Sequence, residues 1–215
     1  VVRLVGAQAG RTERIGLAAT VGLLLYGVKV LHDPWLVYSD EWAHRVNLAE
    51  ALATGRLFGA NDIIPVTAQF PGLAAITSAV ASASGLSQTA SAMAVIAVAR
   101  LLFTLALFLL LERASGSARA AGIGCAVYAA APNFVFWSAQ YAYESLALPL
   151  LVGLLAVVAI LVRDVEGQDR AARRARLGLT ALAAIVVLLV VVTHHVTSYA
   201  MVFLLAVLSL VMRRG

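Results

Sequence analysis

The chain has 215 residues, of which 62% are hydrophobic and only 13% are charged. A soluble domain carries about 25% charged residues on average, so this composition excludes an ordinary soluble fold. The formal net charge is +5, but the basic residues lie in short segments between long apolar blocks and form no continuous basic face, which argues against nucleic acid as a partner.

Six apolar blocks reach or approach the length of a membrane-spanning helix, about 17–25 residues. They lie at residues 15–32, 91–111, 119–137, 145–162, 177–193 and 197–212. A seventh block, 70–84, is rich in small residues and serine, so we predict that it lies at the outer membrane surface. The predicted fold class is all-α: a polytopic helical membrane protein with about six transmembrane helices and two interfacial helices in a first external loop, 33–90.

The arginines predict the orientation of these helices. Of the 16 basic residues, 12 lie in four segments of the chain. These segments are the one before the first block, the regions near residues 113–119 and 163–176, and the end of the chain at Arg213 and Arg214. The positive-inside rule assigns these residues to the cytoplasm, together with both termini. The loop 33–90 and the segments WSAQYAYES (137–145) and THHVTS (193–198) are then external. No Gly/Ser linker divides the chain, so we expect one transmembrane module, residues 1–215, that is part of a longer protein.

Asp40 and Glu41 open a predicted amphipathic helix in the first external loop. Its predicted apolar stripe is formed by Trp42, Val46, Ala49 and Ala53. Acidic side chains at a helix N-terminus complement the helix dipole by up to about 1 kcal/mol, and Glu41 can pair with Arg45 one turn on. Alternatively, one carboxylate takes a proton from an acceptor hydroxyl, while the other binds a divalent ion or orients the first. His44 shares this face of the helix.

Glu144 lies at the outer mouth of the fourth block. It is either an acid at a helix N-terminus or a functional carboxylate, because a free carboxylate at a membrane span is costly unless it is solvated or partnered. With Asp40 and His44 it forms a candidate site for a divalent ion such as Mg²⁺ or Mn²⁺. Tyr143 is either an aromatic residue of the membrane interface or a residue that stacks on a sugar ring.

Arg100 lies inside the second apolar block, where charged residues are rare. It either extends its charge toward the outer interface or binds an anion, for which a lipid phosphate is the natural choice. His194 and His195 form either a neutral turn between the last two blocks or a site that donates to phosphate or binds metal. Tyr143 and Arg45 complete the candidate substrate-binding residues.

In their order along the chain, these features resemble the membrane module of the GT-C glycosyltransferases, which include protein O-mannosyltransferases and lipid A aminoarabinose transferases. The resemblance rests on Asp40 and Glu41 after a first span, the segment QFPGL (69–73), Arg100, Pro132 near the outer end of a span, and Glu144. It implies that Asp40 is the catalytic base, with Glu41 as its acidic partner. It also implies that Arg100, His194 and His195 contact the phosphate of the donor.

The resemblance further implies a sugar donor linked to polyprenyl phosphate, an acceptor glycan, lipid or protein, and in some members a divalent metal. We therefore predict a glycosyltransferase of the cell envelope, integral to a bacterial plasma membrane, with its active site outside. Two alternatives stay open: a non-catalytic lipid-binding or assembly module of the same fold, and a small transporter lined by Arg100 and Glu144. A transporter agrees less well, because its polar residues are expected near the midplane of the membrane.

Overall fold

The structure, a computed structural model, describes residues 1–33, 36, 38–163 and 170–212. Within these ranges the chain is helical and contains no strand. The α-helices are α1 (Val2–Val5), α2 (Arg11–His32), α3 (Ser39–Thr54), α4 (Gly72–Ser84), α5 (Gln88–Ser115), α6 (Ala118–Ala129), α7 (Pro132–Val135), α8 (Tyr143–Arg163), α9 (Arg170–Thr193) and α10 (His195–Met212). Short 3-10 helices lie at Pro65–Gln69 and Trp137–Ala139. The arginines predicted to close the chain, Arg213 and Arg214, lie outside the described residues.

Four helices, α2, α5, α8 and α9, are long and apolar enough to cross a membrane. They correspond to the predicted blocks 15–32, 91–111, 145–162 and 177–193, and each helix extends beyond its apolar block. With its 28 residues, α5 is about 42 Å long and exceeds the hydrocarbon core of a bilayer, which is about 30 Å thick. The chain therefore has the helices of a polytopic membrane protein.

The prediction of one continuous span at 119–137 is wrong. Helix α6 ends at Ala129, and the chain then bends by 73° into the segment Pro132–Ala139. The physical reason is Pro132, which disfavours helical geometry at Ala131 and begins α7 as its first helical residue. Helix α6 has 12 residues, a length of about 18 Å, and cannot cross a bilayer without the bent segment.

Helix α10 belongs to a shorter class of apolar helices, together with α4. The described residues therefore include four helices that can span a membrane, or five if α6 and the bent segment form one span. The six predicted crossings need α10 in addition. The turn predicted at THHVTS is shorter than expected, since His194 alone separates α9 from α10.

Loop 33–90 holds two helices, α3 and α4, as predicted, but α3 buries a different face from the predicted one. Trp42 is half exposed, whereas the side chains that α3 buries are Glu41, Ala43, His44, Leu48 and Ala51. Hydrophobicity alone does not identify this face, because a carboxylate and an imidazole on it find polar partners elsewhere in the fold. A core formed by Tyr26, Leu48, Leu73, Ile96 and Tyr141 joins α2, α3, α4 and α5 to the turn before α8.

Helices α2 and α6 begin at one end of the bundle, and α5 and α8 end there. Arginines connect the helices at this end, which we call the basic end. Arg14 is buried and donates to the backbone carbonyls of Leu4, Gly6 and Ala9, which holds α1 against α2. Arg11 donates to both carboxylate oxygens of Glu112, at 2.8 and 2.9 Å, and so links the start of α2 to the end of α5.

Candidate functional site

Three segments that are distant in sequence meet at the end of the bundle opposite the basic end. They are the first turns of α3, the turn that leads from Gln140 into α8, and the junction of α9 and α10. The rings of His44 and Tyr143 lie 4.5 Å apart, those of Tyr143 and His194 4.2 Å apart, and those of His194 and His195 5.2 Å apart. We call these four residues the His-Tyr cluster.

Glu41 connects three parts of the fold through one buried carboxylate. Its Oε1 accepts from the backbone N–H of Tyr141 at 3.0 Å and lies 3.0 Å from Lys29 Nζ. Its Oε2 accepts from the backbone N–H of Tyr38 at 3.3 Å, as an acidic residue at the third helical position does when it caps a helix. Glu41 therefore pairs with Lys29, and not with Arg45 as one interpretation of the sequence held. Its carboxylate is shielded from solvent and suits a positioning role.

Asp40 precedes Glu41 by one residue and is half-buried, so it is the more accessible of the two acids. Glu144 is also half-buried, in the first turn of α8. The two carboxylates lie close enough to interact electrostatically, and both interact with Tyr143. The structure thus brings together two acids that are 104 positions apart in the chain.

His44 is held in one tautomer by the backbone of the turn before α8. It is buried, and its Nε2 accepts from the backbone N–H of Tyr143 at 3.3 Å, so the proton of the neutral ring belongs on Nδ1. Burial, followed by the electrostatic effect of His194, lowers the pKa of His44 from 6.5 to about 4. His44 is therefore neutral at pH 7.

His194 and His195 occupy different environments, although they are adjacent. His194 is buried, its Nδ1 lies 2.7 Å from Thr197 Oγ1, and burial followed by the charge of His195 lowers its pKa to about 4. His195 is half-buried and packs its ring 5.1 Å from that of Phe70. A neutral His194 can exchange one hydrogen bond with Thr197 while its other ring nitrogen stays available.

The predicted metal ligands Asp40, His44 and Glu144 do not form a metal-binding group. No set of three or more His, Cys, Asp or Glu side chains within the described parts of the chain is arranged to hold an ion. His44 is the residue that fits least, because its Nε2 already accepts a backbone hydrogen bond. A divalent ion held by Asp40 and Glu144 without His44 stays a prediction.

Arg100 is apart from the His-Tyr cluster and is only 1% exposed, so of its two alternatives the extension of its charge toward the outer interface does not fit the structure. Its Nη1 donates to the carbonyl of Phe134 at 2.6 Å, and its guanidinium carbon lies 3.9 Å from the centre of the Phe134 ring. Its Nε and Nη2 find no hydrogen-bond partner among the described residues. Arg100 thus stabilises the bent segment after α6 and retains donors for an anion.

Arg45 lies on the exposed face of α3. Its guanidinium carbon is 4.9 Å from the centre of the Trp42 ring, a cation–π geometry at the surface. This position is close in sequence to Asp40 but outside the His-Tyr cluster. Its predicted contact with substrate stays a prediction.

An apolar groove begins beside the His-Tyr cluster and runs between α4, α5, α8 and α9. Its cavity volume is about 390 Å³, and Ile76, Val98, Leu102, Leu150 and Leu189 are among the side chains that line it. The polar residue of its lining is Thr193, which directly precedes His194. Gly72 also lines the groove and packs against Thr193, since a Cβ atom there would lie 3.0 Å from Thr193 Cα.

Three further residues at the candidate site, Lys29, Thr193 and Thr197, are not among those predicted from the sequence. Lys29 is the chain's one lysine beside fifteen arginines, and it lies in the last turn of an apolar helix. That signal was present in the sequence, whereas nothing in it connects Lys29 to Tyr141. The two threonines have no comparable signal, because hydroxyl side chains are common in apolar helices.

Comparison with known proteins gives no match to this chain: no family model, no curated protein and no solved structure is significantly similar to it.

Proposed function

We propose that the chain is a membrane glycosyltransferase that moves a sugar from a polyprenyl-phosphate-linked donor to an acceptor at the external face of the membrane. One observation carries this proposal: two accessible acids and the His-Tyr cluster converge at the mouth of an apolar groove. A lipid-linked donor needs both parts, since its chain is apolar and its reacting end is polar and anionic. The ordering of the sequence features that resemble the GT-C glycosyltransferases supports the same activity.

In this proposal Asp40 is the catalytic base. It accepts the proton of an acceptor hydroxyl while that oxygen bonds to the anomeric carbon of the donor sugar. The bond from that carbon to the phosphate oxygen breaks, and the polyprenyl phosphate leaves with the bonding electron pair. Because phosphate is a good leaving group, the protein needs mainly to orient the acceptor and stabilise the departing charge.

Glu41 is a positioning residue in this scheme. Its contacts with Lys29 and the backbone of Tyr141 hold the first turn of α3, and therefore Asp40, against the turn before α8. Glu144 orients the acceptor, and Tyr143 offers a ring against which a sugar stacks. Stacking and a fixed base together supply the orientation on which such a reaction depends.

We keep His194, His195 and Arg100 as the proposed contacts of the donor phosphate, as the GT-C resemblance implies, although Arg100 is buried apart from the His-Tyr cluster. His195 is half-buried at the cluster and can donate from one ring nitrogen, and Arg100 has two guanidinium nitrogens that no described residue binds. Arg45 contributes a further positive charge at the surface. Arginine is well suited to phosphate because its planar donors match the phosphate oxygens.

The proposed topology has six crossings, with α10 and the bent α6 segment included and both termini in the cytoplasm of a bacterial cell. Its support is the segregation of charge along the bundle. Arg11, Arg14, Arg113 and Arg119 belong to the basic end, and the acids of the candidate site belong to the other end. The positive-inside rule then makes the His-Tyr cluster external.

A second candidate function is a non-catalytic lipid-binding module of the same fold. The observation that favours it is that Glu41, His44 and His194 are each bound by protein partners, as in a purely structural cluster. Both functions use the apolar groove, but only the transferase requires Asp40 as a base. A lipid-binding module needs no proton acceptor there.

The decisive experiment is a transfer assay with the purified chain in liposomes. It would use a panel of polyprenyl-phosphate hexoses and pentoses and follow the release of free polyprenyl phosphate. We expect release with at least one donor, and loss of that release in an Asp40→Asn variant. Binding of polyprenyl phosphate without release from any donor would favour the non-catalytic module, and absence of both would overturn the proposal.

A further inference from the structure

A loop with exposed apolar side chains follows α3, and we call its residues 56–63 the Phe58 loop. Leu57, Phe58 and Ile63 in this loop are 40%, 68% and 47% exposed. Single exposed apolar residues are common at protein surfaces, but a cluster of them marks an interaction site. The candidate active site uses none of these residues.

The backbone of the loop is strained at its most exposed apolar residue. Phe58 is the one non-glycine residue in the described parts of the chain with a positive φ, which is 66°. This left-handed region is unfavourable for a bulky side chain and normally holds glycine or asparagine. The fold thus carries both the strain and the exposure of an aromatic ring, and water around the ring would offset neither.

The loop is attached to α3 by a buried asparagine, so its shape is fixed. The side-chain amide of Asn61 donates to the carbonyl of Ala43 at 2.8 Å and to Oδ1 of Asn47 at 2.7 Å. Its own Oδ1 accepts from the backbone N–H groups of Ile63 and Ile64, both at 3.0 Å. The exposure of the apolar side chains is therefore a property of the folded loop.

The Phe58 loop lies near the level at which α9 ends. Phe58 lines a small pocket together with Pro71 and Ala74, at the start of α4. Gly72 lies between these two residues in the chain and packs against Thr193, the last residue of α9. Thr193 also ends the apolar block of α9, and such a block ends where the hydrocarbon core meets the headgroup region. The loop is therefore beside the membrane interface.

Arg56 adds a positive charge to the apolar side chains of the loop. It is exposed and forms no ion pair with any residue that the structure describes. Segments that lie in the membrane interface combine apolar side chains, which enter the acyl boundary, with basic residues, which meet the lipid phosphates. The Phe58 loop has both components.

We propose that the Phe58 loop inserts its three apolar side chains into the boundary between headgroups and acyl chains, and that Arg56 binds a lipid phosphate there. The membrane is the partner because four of the described helices are long and apolar enough to span it, and the loop lies at the end of one of them. The proposal rests on the membrane location of the chain, and neither on the transferase activity nor on the direction of the crossings. Insertion would hold α3 at a fixed height relative to the membrane surface.

The test measures the depth of the loop with a spin label on the whole chain, in liposomes of phosphatidylglycerol and phosphatidylcholine. The label would be attached at Phe58→Cys, or at Asp62→Cys as the control, in a Cys125→Ala background, because Cys125 is the chain's own cysteine. Oxygen collects in the hydrocarbon and a nickel chelate stays in water, so the ratio of their collision rates with the label reports its depth.

We expect this ratio to be several-fold higher at residue 58 than at residue 62, where the native side chain is an exposed carboxylate. A ratio at residue 58 that is equal to or below the ratio at residue 62 would overturn the proposal. A label at residue 58 that is shielded from both reagents would do the same, since the loop would then be covered by protein.

Variants with the label at Ile63→Cys separate insertion from exposure alone. Phe58→Asn removes the ring but tolerates the left-handed backbone, and it is expected to shift the label several-fold toward the nickel chelate. Leu86→Ser is the matched control, because Leu86 is 47% exposed between α4 and α5, outside the loop, and no shift is expected. Equal shifts in the two variants, or no shift in either, would contradict insertion.

The contact with phosphate is tested by Arg56→Gln. In the unmodified chain the label at residue 63 is expected to lie deeper in liposomes that contain phosphatidylglycerol than in phosphatidylcholine alone, because anionic lipids attract a basic residue near the surface. Arg56→Gln is expected to remove this difference. A difference that persists in the variant would rule out Arg56 as the contact.

Discussion

Lys29 Nζ lies 3.0 Å from Glu41 Oε1, and both side chains are buried. This ion pair connects the last turn of α2 to the first turn of α3 across residues 33–38. The same Oε1 accepts from the backbone of Tyr141, so the turn before α8 is fixed by the same carboxylate. The position of Asp40 relative to Tyr143 and Glu144 therefore depends on the contacts of its neighbour, Glu41.

Removing one partner of this pair is expected to destabilise the fold. Glu41→Gln or Lys29→Met leaves a buried charge uncompensated, which costs about 3–5 kcal/mol. The double variant removes both charges and is expected to be more stable than either single variant. Thermal unfolding in detergent measures these differences; single variants that unfold at the temperature of the unmodified chain would contradict a structural ion pair.

Asp40→Asn is expected to abolish transfer while leaving the fold intact. An amide cannot accept the proton of the acceptor, and general base catalysis typically contributes about 10²–10⁴-fold to a rate. The loss of its charge at the start of α3 costs at most about 1 kcal/mol of stability. The release of polyprenyl phosphate and the unfolding temperature would be measured on the same preparation.

The matched control is Asp62→Asn, which changes an exposed acid in the same loop, residues 33–90. It is expected to leave both the rate and the unfolding temperature unchanged. If Asp40→Asn transferred sugar at nearly the normal rate, Asp40 would not be the base, and Glu144 would be the next acid to test.

Arg100→Lys separates the two contacts proposed for this side chain. A lysine keeps the charge but loses the planar donors, so the carbonyl of Phe134 loses its hydrogen bond at a cost of about 1–3 kcal/mol. If Arg100 also binds the donor phosphate, KM for the donor rises while the response to acceptor concentration stays the same. A variant with reduced stability and an unchanged KM would limit Arg100 to a structural role.

Gly72→Ala tests the contact between α4 and α9 beside the apolar groove at the His-Tyr cluster. The added methyl group would lie 3.0 Å from Thr193 Cα and 3.1 Å from the Val192 carbonyl, both backbone atoms. Overpacking of this kind costs about 1–3 kcal/mol, and it would displace α4 from the groove. We expect a lower unfolding temperature and weaker binding of polyprenyl phosphate.

Gly153→Ala is the matched control for that change. Gly153 lies in α8, and nothing lies within 4 Å of a Cβ atom added there. The substitution is expected to leave stability equal or slightly higher, because alanine is a better helix former than glycine. Equal behaviour of the two variants would show that the α4–α9 contact is loose.

Local sequence patterns predict the long helices of this chain but not the face that each one buries. Blocks such as 91–111 identify a span because length and apolarity are local properties. The break before Pro132 was not predicted, although proline restricts the residue before it. The face of α3 was predicted wrongly because Glu41 is buried through Lys29 and Tyr141, partners that its own helix does not contain.

The candidate site shows the same limit. The sequence selected His44, Tyr143 and His194 for their chemistry, and the structure brings them into contact. Their contacts span 99 positions between His44 and Tyr143, and no periodicity links residues so far apart. The assignment of His44 to a metal stays a prediction, and the backbone N–H that its Nε2 accepts is a contact that only the fold reveals.

The last prediction concerns the pH dependence of stability. Burial lowers the pKa values of His44 and His194 to about 4 in the folded chain, whereas an exposed histidine titrates near pH 6.5. Above pH 6.5 both residues are neutral in both states, and their contribution to stability is constant. Between pH 6.5 and 4 they bind protons only in the unfolded chain, so stability falls as the pH falls, by up to about 3 kcal/mol for each residue.

Unfolding temperatures measured from pH 7.5 to pH 4 would test this linkage. Replacing both histidines by glutamine removes the two titrating groups, so the double variant is expected to lose less stability than the unmodified chain over this range. His32→Gln is the control, because the side chain of His32 is 83% exposed. Carboxylates contribute in the same acidic range, but they are common to all three proteins, so the difference between the curves isolates the histidines. Parallel curves for the double variant and the unmodified chain would mean that His44 and His194 are as solvated in the folded protein as in the unfolded one, and the His-Tyr cluster would then be open to water.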